Sequence, residues 1–141
     1  MTSTVVYEGE LRTTCTHGRS SDFFETDAPI DNKGKGERFS PTDLLATSLA
    51  TCMLTVMGIK ARTMGFDLDN IKVEVEKIMK PDPRRVSGIN LTFHIPENLK
   101  HIDESTKNII RSTGINCPVQ YSIHPDIEVN IHWGSWTPAN N

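Results

Sequence analysis

The sequence predicts an α+β fold, built as a single domain that spans residues 1–141. Segments near both ends of the chain alternate apolar and polar residues, which is typical of strands with one buried face. A long apolar run between Pro41 and Gly65 predicts a helix buried between other layers. A second, amphipathic helix is predicted in the C-terminal third, so strands and helices occupy separate stretches of the chain.

The first strands are predicted between residues 3 and 27. Two polar breaks, at residues 8–10 and 17–20, divide this stretch into three short antiparallel strands. Residues 29–39 are polar and glycine-rich, which predicts a flexible loop leading into the main helix. The apolar residues of the three strands are Val5, Val6, Tyr7, Leu11, Phe23 and Phe24.

The main helix is predicted over residues 41–64. Ser40 is a suitable N-cap, Pro41 suits the first helical position, and Asp43 lies in the first turn near the positive end of the helix dipole. Gly65 suits the position just past the helix end. The apolar residues cover more than one face of this helix: Leu44, Leu45, Leu49, Cys52, Met53, Val56, Met57 and Ile59.

A membrane span is the competing interpretation of the same run. Thr47, Ser48, Thr51 and Thr55 interrupt it, and Lys60 and Arg62 close it before the roughly 20 apolar residues that a bilayer requires. We therefore expect a core helix and no membrane partner.

The second half of the chain predicts a hairpin followed by helices. Residues 68–79 and 86–95 alternate on either side of the turn Pro81-Asp82-Pro83. Residues 101–113 form an amphipathic pattern that is expected to stop at Gly114. The chain should thus turn sharply just before its last cysteine.

The C-terminal segment begins with the pair Cys117-Pro118, which predicts a short helical turn. Residues 127–131 alternate and predict a closing strand. The tail, residues 134–141, is expected to be loose.

Composition excludes several classes of function. Lysine and arginine number 15 against 18 acidic residues, and no basic run is present, so nucleic acid is not an expected partner. The N-terminus lacks the basic and apolar regions of a secretory signal, so we expect a cytoplasmic protein. Three cysteines are too few and too scattered for a disulfide scaffold, which predicts reduced thiols at rest.

Two cysteines lie in unlike settings that suit a two-step thiol reaction. Cys52 is in the middle of the apolar helix, whereas Cys117 precedes a proline at a helix start, where free backbone N–H groups stabilise a thiolate. Burial alone would leave Cys52 an inert small hydrophobe, because desolvation raises a thiol pKa unless a cation is near. The alternative to a functional role for Cys117 is that this residue only caps a turn.

Three further residues are candidates for a role beside the thiols. Cys15 and His17 share one face of a predicted edge strand, but two ligands without a second pair are a weak metal signal, so we expect Cys15 to be a bystander. Arg19, on a glycine-flanked turn, is the candidate cation, with a solvated turn arginine as the alternative. Asp43 is the candidate orienting carboxylate.

Helix geometry limits what Asp43 can do. Nine helical residues separate it from Cys52, a rise of about 13.5 Å with a rotation of about 180°. Asp43 cannot reach Cys52 through its own helix. Any role for this carboxylate must run through Arg19 or through a second subunit.

The cysteine motifs resemble a known family. The stretch Ser-Pro-Thr-Asp-Leu-Leu-Ala-Thr-Ser-Leu-Ala-Thr-Cys, which ends at Cys52, and the later Cys117-Pro118-Val119 resemble the OsmC/Ohr proteins. This is the group of osmotically induced and organic-hydroperoxide-resistance proteins, and the order and spacing cover nearly the whole chain. Thr42 stands where peroxide-active relatives have a glutamate, which makes this chain more similar to the general OsmC-like branch.

The resemblance implies a fold and an activity. It implies an intertwined homodimer with curved antiparallel sheets packed on long central helices and active sites at the subunit interface. It implies that Cys52 attacks the peroxide, Cys117 resolves the sulfenic acid, and Arg19 holds the thiolate. A lipoyl group or a small thiol is the implied reductant, with no metal or organic cofactor.

The sequence therefore predicts thiol-dependent reduction of organic hydroperoxides by Cys52 and Cys117. The apolar neighbours Leu49, Met53 and Val56 favour alkyl or lipid hydroperoxides over hydrogen peroxide. Two alternatives stay open. One is a redox-sensing or stress-induced binding protein that uses the same disulfide as a switch, and the other is a structural dimer with inert cysteines.

Overall fold

The computed structural model describes residues 1–139 of the chain. It contains three longer helices, six strands and short 3-10 turns in the order expected for an α+β fold, so the predicted fold class is confirmed. The chain divides into two compact units, Met1–Leu45 and a second unit that begins at Ala46. The interpretation as one domain stays a prediction.

The N-terminal unit contains a three-stranded antiparallel sheet. Its strands are β1 (Ser3–Gly9), β2 (Arg12–His17) and β3 (Phe23–Asp27), in the order β1-β2-β3. The three predicted strands are therefore confirmed. Cys15 lies on β2, the central strand, so its expected position on an edge strand is wrong.

The segment 29–39 that follows is held to the sheet by charged pairs. It contains a short 3-10 turn at Ile30–Asn32. Lys35 forms an ion pair with Glu10 at 2.7 Å, and Arg38 forms one with Glu25 at 3.1 Å. Its exposure agrees with the sequence, whereas its flexibility stays a prediction.

Helix α1 (Pro41–Thr63) begins at the predicted N-cap. The Ser40 hydroxyl accepts a hydrogen bond from the Asp43 backbone N–H at 3.1 Å, and the Asp43 carboxylate accepts one from the Ser40 N–H at 2.9 Å. This reciprocal arrangement is a capping box that satisfies two backbone donors at the helix start. Gly65 follows the helix with a φ of 91°, a conformation that favours glycine.

The C-terminal unit contains a mixed three-stranded sheet. Strands β4 (Lys72–Lys80) and β5 (Arg85–His94) form the predicted antiparallel hairpin. After α2 (Glu104–Ile115) and α3 (Pro118–Ser122), strand β6 (Glu128–His132) returns and pairs with β5 in parallel. The sheet is thus not wholly antiparallel, because the two helices form a crossover long enough to bring β6 back in the same direction.

One apolar residue of the hairpin faces solvent. Side chains alternate along β4 without a break, so Ile78 shares the outer face with Glu74 and Glu76 and is 40% exposed. The pairing of β4 with β5 is irregular just beyond it, between Ile78 and Met79.

One hydrophobic core occupies the C-terminal unit. Apolar residues of α1 recur every three or four positions and are buried together with alternate residues of β5. Although α1 is long and apolar enough to cross a bilayer, a core helix has the same composition, and these contacts favour that interpretation. The buried residues of the two elements are Ala46, Leu49, Ala50, Met53, Met57, Ala61, Val86, Ile89, Leu91 and Phe93.

The tail differs from its prediction. Gly134–Trp136 forms a 3-10 turn, and Trp136 is fully buried, with its indole N–H donating to the Leu99 carbonyl at 2.8 Å. The buried Arg111 guanidinium donates to the Trp136 carbonyl. The loose tail is therefore wrong for residues 134–136, since a large apolar ring gains more by burial than by solvation. The last two positions of that prediction, 140–141, lie outside the described residues.

Candidate functional site

The structure brings Cys52 and Cys117 together. Cys52 is half-buried on α1, and Cys117 is fully buried at the N-cap of α3. The two thiols are neighbours, since the Cys52 thiol contributes to the raised pKa of the Cys117 thiol, and all three cysteines are free. Neighbouring thiols need little movement to form a disulfide.

Local backbone geometry fixes the position of Cys117. Its backbone N–H donates to the Gly114 carbonyl at 3.2 Å, and its carbonyl accepts from the Tyr121 N–H at 3.3 Å. Pro118 occupies the first helical position of α3, as predicted. The end of α2 and the start of α3 thus hold this residue from both sides.

Burial dominates the electrostatics of Cys117. Desolvation raises the pKa of its thiol, and the neighbouring Cys52 thiol raises it further. Backbone N–H groups of Gln120 and Val119 act in the opposite direction, because they stabilise a thiolate at the helix start. The net direction is upward, so Cys117 is protonated at neutral pH.

The neighbours of Cys52 are more deeply buried than a substrate surface would be. Leu49 and Met53, which the sequence placed around a bound hydroperoxide, are 0% and 1% exposed and belong to the core. Val56 is only partly buried. Direct contact of a substrate with Leu49 or Met53 is therefore excluded, whereas Val56 has accessible surface.

The N-terminal unit holds the two other predicted site residues. Arg19 is exposed on the turn between β2 and β3, and within residues 1–139 its side chain makes no hydrogen bond or ion pair. Asp43 takes part in the capping box with Ser40. Their roles toward Cys52 stay predictions.

A buried ion pair in the N-terminal unit was missed from the sequence. Arg12 donates two hydrogen bonds to the Asp27 carboxylate, at 2.7 and 2.8 Å, and one to Glu37 at 3.0 Å. Asp27 is 1% exposed. The Arg12 guanidinium lowers the pKa of Asp27, and both carboxylates raise the pKa of Arg12. Arg12 and Asp27 lie on different strands and Glu37 lies on the segment that follows them, so no local pattern could have revealed this cluster.

Other clusters do not compete with the thiols as a chemical site. A cleft of about 850 Å³ in the C-terminal unit is lined by Phe66, Asp69, His101 and Asp103 among others, and neither thiol lines it. Among residues 1–139 no group of three or more histidine, cysteine or acidic side chains is arranged to hold a metal ion. The neighbouring cysteines Cys52 and Cys117 are the arrangement with a clear redox chemistry.

The fold and the two neighbouring thiols define a small α+β protein with a dithiol site. A family model described as OsmC-like protein matches residues 34–132. The chain therefore belongs to the OsmC-like family, as its cysteine motifs predicted. No curated protein matches the chain.

Solved structures agree with this assignment. A protein of Psychrobacter arcticus, provisionally described as an osmotic stress induced and detoxification response protein, is 50% identical, with a TM-score of 0.89 over 94% of this chain and 95% of that chain. The organic hydroperoxide resistance protein OsmC of Legionella pneumophila is 17% identical, with a TM-score of 0.69 over 94% and 96%. OhrB of Bacillus subtilis, an organic hydroperoxide resistance protein, is 16% identical, with a TM-score of 0.62 over 94% and 98%. The last two share the fold.

Proposed function

We propose that this chain reduces organic hydroperoxides with Cys52 and Cys117. The observation that carries the proposal is that a half-buried and a fully buried thiol are neighbours. Membership of the OsmC-like family supports it, since structures of the same fold come from organic hydroperoxide resistance proteins. Neighbouring thiols of unequal accessibility suit a reaction that starts at one sulfur and finishes at the other.

The reaction has two chemical steps and a reset. The Cys52 thiolate attacks the distal peroxide oxygen, the O–O bond breaks, and the leaving alkoxide takes a proton to become an alcohol. The Cys117 sulfur then displaces hydroxide from the Cys52 sulfenic acid, which forms the disulfide and releases water. An external dithiol, a lipoyl group or small thiols, returns two electrons by thiol–disulfide exchange.

Two charged residues complete the proposal. Arg19 supplies the cation that keeps Cys52 ionised and holds the peroxide, because its guanidinium is always charged and is free of other partners within the described chain. Asp43 orients that guanidinium, directly or across a subunit interface. The reaction needs no metal or organic cofactor.

The proposal includes a homodimer in the cytoplasm. Large apolar side chains are exposed on both faces of the N-terminal sheet, including Val5 at 62% and Phe23 at 66%. A second copy of the chain would cover them. A reducing compartment suits three free thiols.

The test measures stoichiometric consumption of an alkyl hydroperoxide by purified protein with a dithiol. Cys52→Ser should abolish consumption, and Cys117→Ser should leave a sulfenic acid that dimedone traps on Cys52. Cys15→Ser is the matched control and should behave as wild type. Arg19→Ala should slow alkylation of Cys52 by iodoacetamide at neutral pH, because less of this thiol would be ionised.

Particular results would overturn parts of the proposal. Dimedone labelling of Cys117 in Cys52→Ser would reverse the order of the thiols, and an unchanged alkylation profile would remove Arg19 from the site. Oxidation without turnover under excess dithiol would favour the redox-sensing alternative. If neither oxidation nor turnover is observed, the protein is a structural dimer with inert cysteines.

A further inference from the structure

Gly114 of α2 faces two methionine side chains of α1. It is buried within α2, two residues beyond Ser112, although the sequence predicted that the helix would stop here. A Cβ atom added at Gly114 would lie 2.7 Å from the Met57 sulfur, 3.0 Å from Met57 Cγ and 3.5 Å from Met53 Cε. Both methionines are almost fully buried, so they have little room to move.

The same glycine is bonded to the segment that carries Cys117. The Gly114 carbonyl accepts the hydrogen bond from the Cys117 backbone N–H. Met53, the residue after Cys52 in the chain, is one of the α1 methionines that face Gly114. A short chain of contacts therefore connects the backbone around Cys52 to the backbone of Cys117 through Gly114.

We propose that Gly114 is a positioning residue that holds Cys117 within disulfide-forming reach of Cys52. Glycine is a poor helix former, so its place inside α2 needs a packing reason, and the Met57 contact supplies one. Disulfides form only within narrow limits of sulfur and Cβ separation. A side chain at position 114 would push α2 away from α1 and carry Cys117 with it.

The test compares Gly114→Ala with Gly58→Ala. Gly58 is a helical glycine of α1 whose added Cβ would meet nothing within 4 Å, which makes it a matched control. Each protein is first equilibrated with mixtures of reduced and oxidised glutathione, and the Cys52–Cys117 disulfide is quantified by mass spectrometry. This readout needs no peroxidase activity, since oxidised glutathione accepts the two electrons and becomes two reduced glutathione molecules.

We expect Gly114→Ala to lower the equilibrium constant for the internal disulfide by at least about tenfold, because departures from disulfide geometry strain the bond and make it more easily reduced. Gly58→Ala should match wild type. With an alkyl hydroperoxide, Gly114→Ala should form sulfenic acid at the wild-type rate but convert it to disulfide more slowly, so that dimedone labels Cys52 more strongly. A general loss of folding would instead slow both the formation of the sulfenic acid and its conversion to the disulfide.

A second variant keeps the test decisive if Gly114→Ala folds poorly. Met57→Ala removes the two atoms that an added Cβ would meet most closely and leaves only the ordinary contact with Met53, so Gly114→Ala with Met57→Ala should regain disulfide formation relative to Gly114→Ala alone. The inference would be overturned if Gly114→Ala had the disulfide equilibrium of wild type. It would also be overturned if the double variant formed no more disulfide than Gly114→Ala alone. The inference rests on the proposed function for its role in the reaction. The two can fail separately: if the wild-type protein forms the disulfide with glutathione but consumes no hydroperoxide, only the proposed function is rejected.

Discussion

Asp27 is a carboxylate whose surroundings require it to be charged. It is almost fully buried and accepts two hydrogen bonds from Arg12 and one, at 3.2 Å, from the Glu37 backbone N–H. Arg12 holds the pKa of Asp27 below its usual value. This pair ties β2 to the end of β3 and to the segment that precedes α1.

The lowered pKa of Asp27 gives the stability of the N-terminal unit a pH dependence. The unfolded carboxyl titrates near pH 3.9, so the contribution of Asp27 is complete above about that pH and is lost as pH falls through the lower folded-state pKa. Asp27→Asn should lower the free energy of unfolding at pH 7 and weaken its further fall in acid. Urea unfolding at a series of pH values measures both effects.

The control for this prediction is Glu8→Gln, which changes an exposed carboxylate on β1. It should leave the pH profile of unfolding close to that of wild type. An Asp27→Asn protein with an unchanged acid profile would show that the Arg12 pair contributes nothing to stability.

At the scale of elements, local signals predicted much of the fold. The capping box at Ser40, the proline that follows it and Gly65 define α1 within one residue, because caps act on the nearest backbone groups. The strands were predictable because the alternation of buried and exposed side chains is also local. The predicted limits of the helix also placed Cys52 at the middle of α1.

Non-local packing explains what the sequence did not predict. Gly114 resembles a helix stop, yet α2 continues to Ile115, and Gly114 is buried beside the methionines of α1. The parallel pairing of β6 depends on the path of α2 and α3 and not on the residues of β6. The partner of Arg12 lies 15 residues away, and strand pairing alone brings it near.

Trp136 anchors the segment that follows β6. Trp136→Ala should lower the free energy of unfolding by about 3–5 kcal/mol, because it removes a fully buried ring and leaves a cavity. Chemical denaturation monitored by far-UV circular dichroism measures this change. Tyr121, which is 74% exposed, offers the control: Tyr121→Ala should cost about 0.5 kcal/mol. Equal effects of the two substitutions would contradict the anchoring role.

For the whole molecule, the sheet of the N-terminal unit is the strongest argument for assembly. Val5 and Phe24 lie on one face and Val6 and Phe23 on the other, and each is at least 49% exposed. A three-stranded sheet with both faces uncovered is a poor structure for an isolated chain in water. A second copy of the chain is the partner that we expect to bury them.

The proposed dimer predicts that folding depends on protein concentration. Sedimentation velocity should find a dimer at micromolar concentration, and the denaturation midpoint should rise with concentration. Phe23→Lys should shift sedimentation toward the monomer, whereas Tyr121→Lys, which changes an exposed aromatic residue of the C-terminal unit, should not. A well-folded wild-type monomer at micromolar concentration would contradict the dimer.

The complete burial of Cys117 has a consequence for damage by excess oxidant. Under the proposed reaction, peroxide arriving before disulfide formation would meet the more accessible Cys52 and carry it from the sulfenic to the irreversible sulfinic state. Cys117, which has no exposed surface and a raised pKa, would survive as an intact thiol. Overoxidation would then inactivate the protein irreversibly at the Cys52 sulfur alone. The rate of disulfide formation would determine what fraction of the molecules is inactivated.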